Sequence, residues 1–145
     1  MTKTLPITEI ELAGSLVRLS HLVQHVFADV SRQHDLTPQQ AQLLCVLMNG
    51  PLGMSELGRV LHLEKSSLSG LVDRVVRRAL ATRGQHRTDR RTSQVSLTDE
   101  GRALAHATHD GITAELATLL ADLPPANRTR LGADLTHLLA GTHLA

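Results

Sequence analysis

At 145 residues, with a net charge of +1, one cysteine and a single aromatic residue (Phe27), the chain is the size of one domain or of a small module inside an oligomerisation frame. One cysteine excludes an internal disulfide framework and suits a reducing compartment. No apolar run reaches the roughly 18 residues of a membrane-spanning helix, and Met1 to Pro6 lack the apolar core of a signal peptide, so a cytoplasmic protein with no membrane partner is expected.

From Glu9 to about Gln33, the apolar residues Leu12, Leu16, Leu19, Val23, Val26 and Val30 alternate in steps of four and three. That is a heptad-like seam on a long helix. Ile10, Ala13, Val17, Leu22 and Phe27 widen it, so this helix needs covering on more than one flank. Thr37-Pro38-Gln39-Gln40 reads as a capping box, with Thr37 at the N-cap, Pro38 at the first helical position and Gln40 at the third. The helix it opens is expected to bury Ala41, Leu44, Cys45 and Met48, and Asn49-Gly50-Pro51 to stop it.

Leu52-Gly53-Met54 can supply a brief extended segment, after which Ser55 is expected to cap a short helix with Leu57, Val60 and Leu61 inward. The next helix is expected from about Lys65 to Ala79, with Leu68, Leu71, Val72, Val75 and Ala79 on one face. Two extended segments follow, Ala81 to Arg87 and Thr92 to Leu97, with Asp89-Arg90-Arg91 between them, close enough for a hairpin. Thr98 caps another helix, with Asp99 and Glu100 in its positive first turn. That helix continues through Leu104, Ile112, Leu116, Leu119 and Leu120 until Leu123-Pro124-Pro125 breaks it. A last helix carries Leu131, Leu135, Leu138 and Leu139. The order describes a mainly α (α+β) protein, a winged helix-turn-helix with a short β-hairpin wing framed by terminal helices. Three parts are expected: residues 1–35 and 99–145 for dimerisation, and 36–98 for the winged module.

Charge marks the same module. Between Arg59 and Arg91 stand nine basic residues against three acidic ones, and the rest of the chain holds six basic and eleven acidic. A basic module in an acidic frame is the footprint of a protein that meets a polyanion on one face. With Trp and Tyr absent, a single-strand reader built on base stacking is disfavoured, and a duplex reader using Arg, Lys and Ser is not.

Five segments carry a family resemblance: Leu36-Thr37-Pro38-Gln39-Gln40, Ser55-Glu56-Leu57, Leu71-Val72-Asp73-Arg74, Asp89-Arg90-Arg91 and Leu97-Thr98-Asp99-Glu100-Gly101. In order and spacing the chain resembles the MarR-type transcriptional regulators, closely from about Leu36 to Leu104. The resemblance implies a homodimeric repressor or activator, dimerised through its first and last helices and often released from DNA by a small ligand or an oxidant. Two departures stand out. Ala79 replaces the glycine that usually closes the recognition helix, and Gly70 stands where a large polar residue is common.

The helix from Lys65 would enter a major groove, its N-terminal half (Lys65, Ser66, Ser67, Ser69 and Gly70) toward base edges and Arg74, Arg77 and Arg78 toward phosphates. By itself this helix is equally a solvated face; the adjoining wing favours double-stranded DNA. The resemblance assigns Arg91 to the minor groove and Asp89 to an ion pair orienting an arginine, with Arg83, Arg87 and Arg90 on phosphates. Dimerisation falls to Leu12, Leu16, Leu19, Val23, Leu131, Leu135 and Leu138. His21 with His25, and His106 with His109, are spaced to share a helix face. They show no dense ligand cluster, so no metal is assigned and no cofactor is required. An unidentified small-molecule effector is compatible with the resemblance. Cys45, on an apolar stripe, is a poor redox sensor. No nucleophile–base spacing or glycine-rich phosphate loop supports an enzyme. The alternatives are a metal- or redox-sensing regulator of the same fold, and a winged-helix protein-interaction module that never touches DNA.

Overall fold

The computed structural model describes residues 7–85 and 93–142. Among the described residues six helices and three short strands follow in the order α1 (Glu9–Gln33), α2 (Pro38–Leu47), β1 (Leu52–Gly53), α3 (Met54–Leu61), α4 (Lys65–Arg77), β2 (Ala81–Gln85), β3 (Ser93–Leu97), α5 (Asp99–Leu120) and α6 (Pro125–Ala140). The Thr37 capping box is formed: Gln40 N–H donates to Thr37 Oγ1 at 3.2 Å and Thr37 N–H donates to Gln40 Oε1 at 3.1 Å. Thr8 and Glu11 form a second box that opens α1. Gly50, at φ +132°, breaks the chain after α2 in a backbone region open to glycine.

α3 departs from expectation at its start. Gly53 is the N-cap, without a side-chain cap, and Ser55 lies inside the first turn. The β1 pairing of Leu52 with Val95 and Gly53 with Gln94 holds this entry, so strand pairing rather than a serine sets where α3 begins. The sheet runs β1-β3-β2, antiparallel throughout, with Ala81 opposite Leu97 and Gln85 opposite Ser93.

The core gathers Leu43, Leu44 and Leu47 of α2, Leu57 of α3, Leu68, Leu71, Val72 and Val75 of α4, Val95 of β3 and Ala105 of α5. Cys45 and Met48, expected inside, are half-buried instead, because α2 turns Leu43 and Leu47 into the core. Gly101 at the start of α5 is required by close approach. A Cβ there would lie 1.8 Å from the carbonyl oxygen of Leu80.

Three helices end alike. Asp35 after α1, His62 after α3 and Ala79 after α4 take left-handed φ of +55°, +53° and +58°. Each precedes a leucine whose N–H reaches back into the last turn: Leu36 to Ser31, Leu63 to Gly58 and Leu80 to Val75. These are Schellman closures, which satisfy carbonyls that a helix end otherwise leaves unpaired. Asp and His tolerate this region better than most non-glycine residues. Ala79 does not share that tolerance, yet the closure forms, because it buries Leu80 beside Val75. α4 therefore ends at Arg77, and Ala79 is exposed instead of continuing the apolar face.

Candidate nucleic-acid interface

Leu57 of α3 and Leu68, Leu71, Val72 and Val75 of α4 lie in the core, which fixes which face of α4 turns outward. Lys65, Ser66, Ser67, Arg74, Arg77 and Arg78 are exposed, and Ser69 and Gly70 are half-buried. The N-cap of α4, Glu64, makes no side-chain cap bond, so the first-turn N–H groups carry no such partner. Free N–H groups and the positive helix end together favour an anion.

The arginines divide by what they hold. Arg83 of β2 pairs with Asp73 of α4 at 2.9 Å and also donates to the carbonyl of Ser69 at 3.4 Å. Arg78 donates to the carbonyl of Asp35 at 2.6 Å and to Gln40 Oε1 at 3.2 Å, tying the end of α4 to the turn between α1 and α2. Arg77 Nε donates to the Asp73 carbonyl at 3.4 Å. These arginines, expected on phosphates, thus also have protein partners that the sequence does not reveal. The helix pattern carries no signal for contacts such as those of Arg78, which reach about forty positions back along the chain. Arg87, Asp89, Arg90 and Arg91, at the expected wing tip, lie outside the described residues.

The expected dimerisation residues sit on the first and last helices, α1 and α6. Leu12, Leu16 and Leu19 are 51%, 48% and 41% exposed, and Leu135 and Leu138 are exposed as well. Val23 and Leu131 are half-buried, and α6 has no buried residue. His21, His25, His106 and His109 are all exposed. His25 Nε2 lies 3.2 Å from Asp29 Oδ2 and His109 Nδ1 lies 3.7 Å from Asp110 Oδ1. Among the described residues no group of three or more His, Cys, Asp or Glu side chains is placed to hold a metal ion. Likewise, no described helix is long and apolar enough to cross a membrane.

A feature the sequence did not announce is an open cavity of about 340 Å³ between α1, α2 and α3, lined by Phe27, Gln42, Cys45, Val46, Val60, Leu61 and His62. Its walls are mostly apolar, with one amide, one imidazole and one thiol. Loss of hydration raises the pKa of the Cys45 thiol above its ordinary value. His62 belongs both to this wall and to the turn that leads into α4.

A helix-turn-helix whose second helix is exposed along a basic, hydroxyl-bearing face, joined to a three-stranded antiparallel sheet, defines a winged helix-turn-helix protein. Residues 34–92 match the model of the MarR family. The homoprotocatechuate degradative operon repressor of Escherichia coli is 29% identical over 94 residues, covering 64% of this chain and 64% of the repressor. A MarR-family transcriptional regulator from Rhodococcus sp. RHA1 superposes with a TM-score of 0.80 at 18% identity, over 95% of this chain and 99% of that one. NadR, solved in complex with 4-hydroxyphenylacetate, superposes at 0.75 with 22% identity, over 97% and 99%. The chain spans about half to just under two thirds of the length of the curated relatives it matches. The chain is thus similar to the MarR family over residues 34–92 and shares the fold of its solved members. The Escherichia coli relative is a repressor and the Rhodococcus neighbour a transcriptional regulator.

Proposed function

We propose that this chain is a homodimeric, ligand-responsive transcriptional repressor that binds a pseudo-palindromic duplex through α4 and the wing. The observation that carries the reading is the outward face of α4. Lys65, Ser66 and Ser67 stand exposed on its uncapped first turn, with Arg74 and Arg77 beyond them on the same helix. Those residue types suit base edges and phosphates in a major groove. Arg78 and Arg83 act from behind, the first fastening the end of α4 and the second joining it to the wing. Dimerisation is supported by the exposed leucines of α1 and α6, which a partner carrying the same surfaces would cover.

A small-molecule effector would occupy the cavity between α1, α2 and α3. The reading is supported by NadR, a protein of the same fold that was solved in complex with 4-hydroxyphenylacetate. In the present chain, Gln42 and His62 would supply the polar contacts in an otherwise apolar pocket.

Fluorescence anisotropy on labelled duplexes over a range of salt concentrations tests the reading. A DNA binder loses log affinity linearly with log salt, at nearly one unit of slope per neutralised phosphate. A flat, salt-independent response would identify a protein-interaction module instead.

A further inference from the structure

We propose that Arg74 reads a guanine edge in the major groove, its guanidinium taking the surface position that Gly70 leaves empty. This inference rests on the reading of α4 as a DNA-contacting helix.

Side chains on a helix lean toward its N-terminus and cover the turn before their own Cα. Arg74 does so here: a Cβ placed on Gly70 would lie 3.8 Å from Arg74 Nη1. The charged head of Arg74 therefore sits one turn earlier than its backbone. That is the level of the sixth residue of a 13-residue helix, in the half that meets base edges in this class of fold. The surroundings are small. Ser66, Ser67 and Ser69 carry short side chains and Gly70 carries none, so at that level Arg74 is the long polar group within reach of a groove floor.

Commitment separates Arg74 from its neighbours. Arg77 is bonded to the Asp73 carbonyl, Arg78 to Asp35 and Gln40, and Arg83 to Asp73 and Ser69. Among the described residues, Arg74 makes no hydrogen bond or ion pair. An uncommitted guanidinium fork matches the paired acceptors O6 and N7 of guanine, a pattern that no other base presents in the major groove. A phosphate would use the same donors but would be indifferent to sequence.

Selection from a randomised duplex library, followed by affinity measurement on single-base variants of the winning site, tests this. The wild-type protein should select one guanine at symmetric positions in the two half-sites. Arg74→Ala should lose about tenfold or more of the discrimination at that position, with other positions unchanged. Arg74→Lys should keep the salt slope, because the charge remains, while the guanine preference stays weakened. Melting temperatures should match the wild type for both variants, since the side chain is exposed. Should Arg74→Ala melt early, the lysine variant decides by itself. A uniform loss of affinity with the preference intact would mean a phosphate contact and would overturn the role of Arg74 alone. Failure of the wild-type protein to bind any duplex would overturn the reading of α4, and this inference with it.

Discussion

Asp73 of α4 and Arg83 of β2 form an ion pair at 2.9 Å that joins the outward helix to the first strand of the wing. Among the described residues this is the carboxylate that anchors a wing arginine, and Arg83 adds a bond to the Ser69 carbonyl one turn earlier on α4. The wing and the helix are thus fixed to each other through side chains on their exposed surface.

Both partners of that pair are substantially solvent-accessible, at 50% and 38%, so its effect on stability should be about 0–1 kcal/mol. Its effect on DNA affinity should be larger, because it sets the relative placement of two contacting elements. Asp73→Ala and Arg83→Ala should each weaken duplex binding, and the double variant should be no worse than the poorer single one. A double-mutant cycle on affinity reads the coupling. Strictly additive losses would show that Arg83 acts by itself, as a phosphate contact.

Three small-residue positions should respond in different directions. Gly101→Ala puts a Cβ into the Leu80 backbone and should destabilise by about 3 kcal/mol or more. Gly70→Ala meets only ordinary contact with Arg74 and improves helix propensity, so it should stabilise by about 0.5–1 kcal/mol. Ala79→Gly relieves a left-handed alanine but loosens the unfolded chain, for a net gain of up to about 1 kcal/mol. Urea unfolding of the three variants checks the order, and a stable Gly101→Ala would contradict the close approach of α5 to Leu80.

Leu19 is 41% exposed in the single chain and lies on the seam of α1. If a partner covers that seam, Leu19→Asp buries an unpaired charge in each protomer, an effect of several kcal/mol against association. Analytical ultracentrifugation at micromolar concentration should show a dimer for the wild type and a shift to monomer for the variant. A wild-type monomer would remove the dimer from the proposal.

Burial raises the pKa of Cys45, so the thiol stays protonated to higher pH in the folded protein than in the unfolded chain. The sign follows from that direction. This group's contribution to stability is complete below the unfolded thiol's pKa and is lost as pH rises through the raised folded value. Alkylation by iodoacetamide near neutral pH should therefore be slow in the native protein and fast in urea. Equal rates in the two states would show that the thiol is open to solvent.

Much of this architecture is local, and the sequence determined it without help. The Thr37-Pro38-Gln40 box, the Thr98 cap and the apolar face Leu68-Leu71-Val72-Val75 depend on spacings within one or two turns, where residue type and helical geometry suffice. The MarR resemblance and the basic module were likewise legible, because they are properties of order and charge. What tertiary structure decided lies between elements. α3 begins at Met54 because β1 pairs with β3, and no residue near Ser55 reports that pairing. α1, α3 and α4 close on Asp35, His62 and Ala79 without a glycine signal, and each closure turns the next leucine back toward its helix. Arg78 and Arg83, alike in sequence to Arg74, find acceptors on other elements, whereas Arg74 lies over a glycine of its own helix. Partner choice for a long charged side chain depends on which acceptors folding brings within about 3 Å, and that distance exists only once the helices are packed.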